Sequence, residues 1–481
     1  MGKDPSSGPS PRWGGEIPIR CQTSVPLSLT GLGGGRSGTR NQGLDQNTKV
    51  VVGLTTSCWT IARHNRENTV RRTIAALVVV LLVVFTKGKL SSAPAQAVLH
   101  LGCLAIVGYV LARLVEDIRV PMAMGFALAG FLLGPGLTGL VGDTEGVLRA
   151  LGTVFLGWVG FCVGSRFKLG AKYLSKRLVI VGVISVLVGV LVATLAWSIL
   201  LPGIYITLVI AVVMMLPDPF WAFAATRESG KRTREGALRA LGIVGLGTAC
   251  LCWATAVGAI RRLDGGSLWG TLEPAAHLLL SAGAGILWGE LVHHLCGVLR
   301  SRSAVLVVFL VSVLGASVAA GAYQANLMVV AVAGGIWIAN RGAKAAFVLE
   351  TITPIGYAMV GPLFAVFGTQ IPARAILSGI TWPIALICLG TMIAAKMGVG
   401  VLAAHVCRAP GASASYLSCG TLLQGLVLLE MVRWTQTLLA GSSTFGAASD
   451  LFVALAGMGM LAGSLLLPMC TAWAWRAERG R

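Results

Sequence analysis

The stretch FALAG at residues 126–130 returns as VAVAG at residues 330–334, 204 positions further along the chain. The same offset aligns residues 156–167 with residues 360–371 without a gap and places Gly157 on Gly361 and Gly164 on Gly368. About seven apolar segments of membrane-spanning length separate equivalent positions of the two copies. Because that number is odd, the second copy would enter a bilayer from the side opposite to the first. The sequence therefore predicts an inverted repeat.

The composition indicates a membrane protein. Apolar residues make up 55% of the 481-residue chain and charged residues only 12%. A segment that crosses about 30 Å of hydrocarbon must satisfy its backbone polar groups internally, so the apolar runs predict helices rather than strands. We expect an all-α, polytopic membrane protein with about 13–14 transmembrane helices. The predicted spans are residues 71–87, 95–115, 121–141, 148–165, 177–200, 203–226, 237–260, 270–294, 303–323, 325–340, 347–370, 376–405, 415–440 and 450–475.

These spans and the repeat divide the chain into five predicted parts. Residues 1–70 are rich in Gly, Ser, Pro and Arg without any sustained period, which predicts a disordered cytoplasmic tail. Residues 71–90 form an extra transmembrane helix in front of the core. The first inverted repeat covers residues 95–265, a linking helix covers 266–300, and the second repeat covers 301–475.

Membrane topology explains the net charge of +20 better than nucleic-acid binding does. Lysine and arginine concentrate in alternate loops, and loops of this kind lie on the cytoplasmic side of a membrane. The bias places both termini in the cytoplasm and predicts an integral protein of the cell (inner) membrane, surrounded by the lipid bilayer. The basic residues of these loops are Arg166, Lys168, Lys172, Lys176, Arg177, Arg227, Lys231, Arg232, Arg234, Arg239, Arg300, Arg302, Arg341, Lys344 and Arg408.

The sequence argues against an enzyme and against a bound cofactor. It contains no Ser-His-Asp arrangement, no HExxH, no phosphate-binding GxxxxGK[ST] and no dinucleotide fingerprint in a strand context. Its cysteines and histidines form no cluster with metal-ligand spacing, so no metal site is predicted. An inverted repeat is instead typical of secondary transporters, whose binding site lies at mid-membrane between the two halves.

Four charged residues are predicted to lie at mid-membrane depth, where a charge is a functional candidate by default. They are Asp218, Lys396, Glu430 and Arg433. Asp218 stands between two prolines, Pro217 and Pro219, which forbid a regular helix through the middle of an apolar segment. Such an unwound stretch is tolerated only inside protein or beside a water-filled cavity.

The chain resembles the monovalent cation:proton antiporter superfamily, the sodium/hydrogen exchanger-like membrane proteins. The resemblance implies a thirteen-helix core, a homodimer, and two broken helices that cross near mid-membrane, here residues 203–226 and 415–440. It also implies a monovalent cation and a proton as transported partners. The stretches that carry it are RLVEDIRVPMAMGFALAGFLLGPGLTGL (113–140), LGTVFLGWVGFCVGSRF (151–167), DPFWAFAATRESG (218–230), GPLFAVFGTQI (361–371), AAKMGVGVLAAHVCRAP (394–410) and the glycine-containing helix at 415–433.

The resemblance also assigns expected roles to individual residues. Asp218 matches the aspartate that many members carry at the first broken helix, either as an ion or proton ligand or as a counter-charge for half-helix ends. Lys396 matches a basic residue that pairs with an ion-site carboxylate or balances the crossing, and we favour the balancing role. Gly425 is a weak point of the second broken helix. Glu430 follows it one turn later and is a candidate for the ion or proton pathway, although its spacing favours an ion pair with Arg433.

The chain departs from the family at the helix predicted over residues 237–260. Active members usually carry Asp-Asp or Asn-Asp at its centre, and the expected pair falls here near Gly247 and Thr248. The sequence contains no carboxylate between Glu235 and Asp264. Because a proton-coupled cation site needs a group that titrates, Asp218, assisted by the Thr248 hydroxyl, is the nearest substitute.

Three functions are consistent with these observations. The first is a monovalent cation (sodium or potassium)/proton antiporter that works by alternating access with a rearranged site. The second is a transport-inactive or uncoupled homologue that acts as a membrane scaffold or sensor. The third is a transporter of the same architecture with a different substrate. The repeat and the Pro-Asp-Pro break favour retained transport, whereas the missing carboxylates favour the other two.

Overall fold

A computed structural model describes residues 78, 92–117, 122–142, 146–167, 176–201, 203–216, 232–371, 382–406, 426–439, 442, 445, 451–452 and 454–459. All of them belong to the compact unit Glu67–Arg481, and they contain helices and turns but no strand. The twelve helices bounded within these residues are α1 (Ala93–Asp117), α2 (Met122–Leu133), α3 (Val147–Gly164), α4 (Lys176–Trp197), α5 (Ile204–Met215), α6 (Arg232–Leu263), α7 (Leu268–Gly297), α8 (Arg302–Ala322), α9 (Leu327–Ala339), α10 (Ala343–Thr369), α11 (Trp382–Val406) and α12 (Leu426–Leu438).

The all-helical prediction is confirmed for the described part of the chain. Seven of its helices are long and apolar enough to cross a membrane, in agreement with the prediction of an integral membrane protein. Large apolar side chains point outward along α7 and α8, for example Leu279, Leu287 and Val318, each more than 70% exposed. Exposed apolar surfaces of this kind are favourable in contact with the hydrocarbon of a lipid bilayer. The predicted tail at 1–70 and the predicted helix at 71–90 lie outside the described residues, apart from Val78.

The prediction for the third span was too long, since a helix was expected over 121–141 and α2 ends at Leu133. Pro135 follows two residues later, and a proline disfavours helical backbone at the residue before it, here Gly134. The chain then turns through Gly139, which has a φ of +64°. The N–H of Gly139 donates to the carbonyl of Gly134 at 2.9 Å, and that of Val141 donates to Leu133 at 2.8 Å. The helix end is thereby closed by the turn itself.

Two helix pairs approach each other so closely that their backbones touch. In the α3–α9 pair, a Cβ placed on Gly164 would lie 2.1 Å from the carbonyl oxygen of Val332. In the α2–α10 pair, a Cβ placed on Gly368 would lie 2.2 Å from the carbonyl oxygen of Ala127. Real Cβ atoms do not come this near to another atom. Only glycine fits at both contacts, because small residues let membrane helices pack at backbone distance.

A second glycine in each pair repeats the contact one turn further on. A Cβ on Gly335 would lie 2.1 Å from the Phe161 oxygen, and one on Gly130 would lie 2.0 Å from the Ala365 oxygen. The two pairs thus match residue for residue: α3 corresponds to α10 with an offset of 204, and α2 corresponds to α9 with an offset of 205. The structural equivalent of Gly130 in the second half is therefore Gly335, whereas the sequence offset of 204 aligns Gly130 with Gly334.

The remaining helices pack around these pairs. α9 also packs along α7, α6 lies against α4, α5 and α7, and α11 lies against α4. An aromatic cluster joins α3, α7 and α8, with ring centroids 4.7 Å apart for Trp158 and Phe309 and 4.9 Å apart for Phe161 and Trp288. The division into an inverted first and second repeat stays a prediction, as do the five domain boundaries.

Candidate functional site

Helix α5 ends inside the protein rather than at its surface. It contains twelve residues, a length of about 18 Å, which is little more than half of the hydrocarbon core. The backbone leaves the helical region at Leu216, where φ is −53° and ψ is 125°. Every residue from Val209 to Leu216 is buried. The last carbonyl groups of α5, which carry partial negative charge, are therefore held away from the surface.

The side chain of Lys396 lies at this buried helix end. Lys396 belongs to α11 and is only 4% exposed. Its Nζ lies 3.4 Å from the carbonyl oxygen of Leu216 and donates to it. A cation at the carboxyl end of a helix interacts favourably with the helix dipole. The predicted burial of Lys396 is thus observed, and one of its partners is a backbone carbonyl.

Glu430 is the second buried charged residue of the described chain. It lies on α12 and is 8% exposed, and its Oε2 has no hydrogen-bond partner among the described residues. The nearest charge with a described contact is Arg433, whose Nη1 is 4.0 Å from that oxygen. This separation is longer than a hydrogen bond. The expected pair is present only as a loose contact, because the Arg433 side chain is 38% exposed and extends toward the surface.

Side chains of α6 reach α12 at two points. Trp253 Nε1 donates to Thr435 Oγ1 at 2.7 Å, and the ring of Trp253 stacks on Trp434 with centroids 4.3 Å apart. Further along both helices, Arg261 Nη2 donates to the carbonyl of Leu438 at 2.7 Å. Long side chains of α6 therefore hold it to α12.

Thr248 does not lie on the face of α6 that contacts α12. Thr248 is five residues from Trp253, which is a rotation of about 140° around the helix axis. Its Oγ1 donates to the carbonyl of Val244 in its own helix at 2.8 Å. The stripe of α6 that continues from Trp253 consists of Ala249, Leu246 and Gly242, all buried. The prediction that Thr248 assists at the site stays untested.

Asn326 is a buried polar residue that the sequence did not single out. Its side chain caps α9 by accepting from the N–H of Val329 at 3.1 Å, and its own N–H donates to Ser281 Oγ at 2.9 Å. Its Nδ2 lies 3.7 Å from the sulfur of Met431, the neighbour of Glu430. An asparagine before an apolar run is a known helix-start signal. That signal predicts the cap but gives no information about the contact with α12.

The other predicted site residues lie outside the described part of the chain. These are Asp218 with its flanking prolines Pro217 and Pro219, and Gly425. The described residues end at Leu216, just before Pro217, and α12 is described from Leu426, just after Gly425. Helices α5 and α12 contact each other. The described candidate residues are therefore Lys396 of α11, at the end of α5, and Glu430 of α12, a helix that contacts α5.

The Trp253–Thr435 hydrogen bond gives a prediction about the α6–α12 contact. Thr435→Val should lower the free energy of unfolding by about 1 kcal/mol, because it leaves the buried indole N–H without an acceptor. Thr437→Val is the matched control, since Thr437 lies on the same helix, is exposed, and donates only to the carbonyl of Arg433 among its described contacts. Thermal unfolding in detergent, followed by tryptophan fluorescence, measures both. Equal effects of the two variants would contradict this account of the contact.

Comparison with solved structures identifies the fold. The chain superposes on the sodium proton antiporter MjNhaP1 from Methanocaldococcus jannaschii at pH 8 with a TM-score of 0.58 and 15% identity, covering 79% of this chain and 96% of that one. A second structure of MjNhaP1, from electron microscopy, gives a TM-score of 0.60, 14% identity, and coverage of 79% and 97%. No protein-family model matches the sequence, and no curated protein matches it. The predicted antiporter-like fold is confirmed.

Proposed function

We propose that this protein is a secondary active transporter that exchanges a monovalent cation, sodium or potassium, for protons by alternating access. The observation that carries the proposal is a half-length helix whose carboxyl end is buried, within a fold shared with a sodium proton antiporter. Half-helix ends inside a membrane supply partial charges that hold ions near the midplane. An ordinary structural helix has no reason to end there, because unsatisfied backbone groups are expensive in hydrocarbon.

The charges around the α5 end are consistent with an ion-handling role. Lys396 supplies a fixed positive charge, and Glu430 supplies a group able to bind either a proton or a cation. Asp218, two residues after the described end of α5, is proposed as a further carboxylate in the pathway. We propose that Pro217 and Pro219 prevent the helix from continuing past Leu216, because neither has a backbone N–H to donate.

The surroundings of the transporter form part of the same proposal. The protein works in the cell (inner) membrane as a homodimer, with both termini in the cytoplasm. The transported partners are a monovalent cation and a proton, and nucleic acid is not a partner. The charge asymmetry of the loops and the resemblance to dimeric exchangers support these assignments.

One observation favours a second function, that of an antiporter homologue without coupled transport that serves as a scaffold or sensor. Helix α6 carries Gly247 and Thr248 where active members have carboxylate or amide residues, and the described hydrogen bond of Thr248 stays within its own helix. A site with fewer carboxylates binds cations more weakly and has fewer groups on which protons compete.

Reconstitution into liposomes separates these two functions. Purified protein in vesicles with an acidic interior and a pH-sensitive dye should show dequenching when sodium, potassium or lithium is added outside. Asp218→Asn should abolish the signal for the cation that produces it. Asp264→Asn is the matched control, because Asp264 lies at the exposed end of α6 and accepts from Ser442. A well-folded wild-type protein that responds to no cation would overturn the proposal and support the scaffold or sensor function.

A further inference from the structure

We propose that Glu430 is the carboxylate on which proton and cation compete, in place of the carboxylate that α6 lacks. The proposal rests on the antiport function proposed above and assigns its exchange chemistry to one side chain. It differs from the sequence-based expectation, which placed that role on Asp218 with help from Thr248 and gave Glu430 an ion pair with Arg433. The structural observation behind it is a buried carboxylate oxygen without a hydrogen-bond donor.

The surroundings of Glu430 explain why its carboxylate should not remain bare. Its neighbours on the packed face of α12 are Val427, Met431 and Trp434, and each is at most 6% exposed. Oε2 has no hydrogen-bond partner among the described residues. An ionised carboxylate in such a place loses its hydration without compensation, which is strongly unfavourable. Binding a proton removes the charge, and binding a monovalent cation balances it.

Few groups on the neighbouring helices could neutralise the Glu430 carboxylate or exchange a proton in its place. Arg433 is the one other charged residue of α12, and it is loosely placed at 4.0 Å. Residues 204–216 of α5, 240–260 of α6 and 327–339 of α9 contain no charged residue, and Tyr205 is the titratable group among them apart from the thiols of Cys250 and Cys252.

The helices α10 and α11 contribute the remaining ionisable groups. On α10, Lys344 lies in the first turn, Glu350 is exposed, and Tyr357 accepts a hydrogen bond from Arg166 at 2.9 Å. On α11, Lys396 donates to the carbonyl of Leu216, and His405 lies in the last turn. None of these residues has a described contact with Glu430.

Residues close to Glu430 on α12 contact α6 and the start of α9. Trp253 of α6 donates to Thr435, five residues after Glu430, and the α6 stripe that continues from Trp253, Ala249 and Leu246, is apolar and buried. Asn326, whose amide contacts Met431, adds a second buried polar side chain to this region. Among the residues of these described contacts, Glu430 is the one carboxylate.

The exchange step balances in charge and in atoms. The protonated Glu430 carboxylic acid releases its proton to water as the cation binds to the carboxylate, and the reverse step restores the acid. The site is neutral in both loaded states. One group therefore binds either ion but not both, which is the condition for obligatory exchange.

The test compares Glu430→Gln with Glu350→Gln, a change of the same chemistry at an exposed position of α10. In the liposome assay, Glu430→Gln should lose cation-driven dequenching down to the level of protein-free vesicles. Glu350→Gln should keep the wild-type rate. Glu430→Asp should keep exchange with a changed cation concentration at half-maximal response, because the carboxylate is retained on a shorter stem. Wild-type exchange by Glu430→Gln would overturn the inference while leaving the antiport function intact.

A binding measurement decides the inference even if the wild-type protein does not transport. Adding sodium or potassium chloride to the wild-type protein in weakly buffered detergent solution should release protons and remove an infrared carboxylic-acid C=O band. Glu430→Gln should show neither change. Absence of proton release and of the band change in the wild-type protein would overturn the inference. If Glu430→Gln does not fold by size exclusion, the band in Glu430→Asp decides: a shifted band supports Glu430, and an unchanged band overturns it.

Discussion

Gly335→Ala is expected to destabilise the protein by about 3 kcal/mol, toward the upper end of what overpacking a helix interface costs. The new methyl group would lie 2.1 Å from the carbonyl oxygen of Phe161 and 2.7 Å from the amide nitrogen of Ser165. Both are backbone atoms, so no rotamer change can make room. Helices α3 and α9 would have to separate. Thermal unfolding in detergent and the yield of monodisperse protein measure the effect.

The control for this prediction is Gly283→Ala in α7, where an added Cβ meets no atom within 4 Å. Alanine has the higher helix propensity, so this control should be neutral or slightly stabilising. Gly130→Ala should resemble Gly335→Ala, because it makes the equivalent contact with Ala365 in the α2–α10 pair. Unchanged stability of Gly335→Ala would show that α3 and α9 do not touch as described.

Lys396→Met is expected to abolish exchange and to lower the free energy of unfolding by about 2 kcal/mol. Methionine keeps most of the volume of the lysine stem but removes the charge that lies at the buried end of α5. The carbonyl of Leu216 then loses its donor at 3.4 Å. A helix end without compensation in a protein interior should relax, and the ion site built on it should relax with it. Liposome dequenching and thermal unfolding report the two effects.

Lys396→Arg is the companion variant, because it keeps the positive charge but changes the shape of the donor. It should retain most of the stability and part of the transport. If Lys396→Met exchanges cations at the wild-type rate, the lysine has no part in the site. If Lys396→Arg is as unstable as Lys396→Met, packing rather than charge is what Lys396 contributes.

The existence and order of the twelve described helices could be predicted from the sequence, because membrane-length apolar runs allow few alternatives. The ends of the helices were harder to predict. α2 was predicted to reach residue 141 and ends at Leu133, since a turn of glycine and proline is itself apolar enough to resemble a helix in hydropathy. The buried end of α5 was easier to locate, because two prolines mark it.

Helix rotation is what the sequence could not give at the candidate site. Thr248 was chosen because it occupies the position of a family carboxylate, and its expected partner Asp218 lies outside the described residues; the stripe of α6 that contacts α12 is a different one, through Trp253. In helices that are apolar on all sides, no polar face fixes the rotation. The partner of Lys396 could not be predicted either, because every residue has a backbone carbonyl and the sequence does not single one out.

Long-range contacts were equally inaccessible. Asn326 was visible as a helix-start residue, but its approach to Met431 joins positions 105 residues apart. The spacing of Glu430 and Arg433 correctly placed them on one side of α12 but did not reveal that Arg433 reaches outward. Pairwise spacing gives neighbours on one helix, whereas burial depends on every helix around it.

The backbone contacts at the glycines of α2, α3, α9 and α10 also limit which helices can slide past one another. Two helices whose main chains touch cannot slide along each other without first moving apart, because each carbonyl oxygen occupies the space where a residue other than glycine would carry its Cβ. The α3–α9 pair and the α2–α10 pair should therefore each travel as one rigid body. Any gating displacement must fall on softer seams such as that between α6 and α12, where aromatic rings and long side chains can repack.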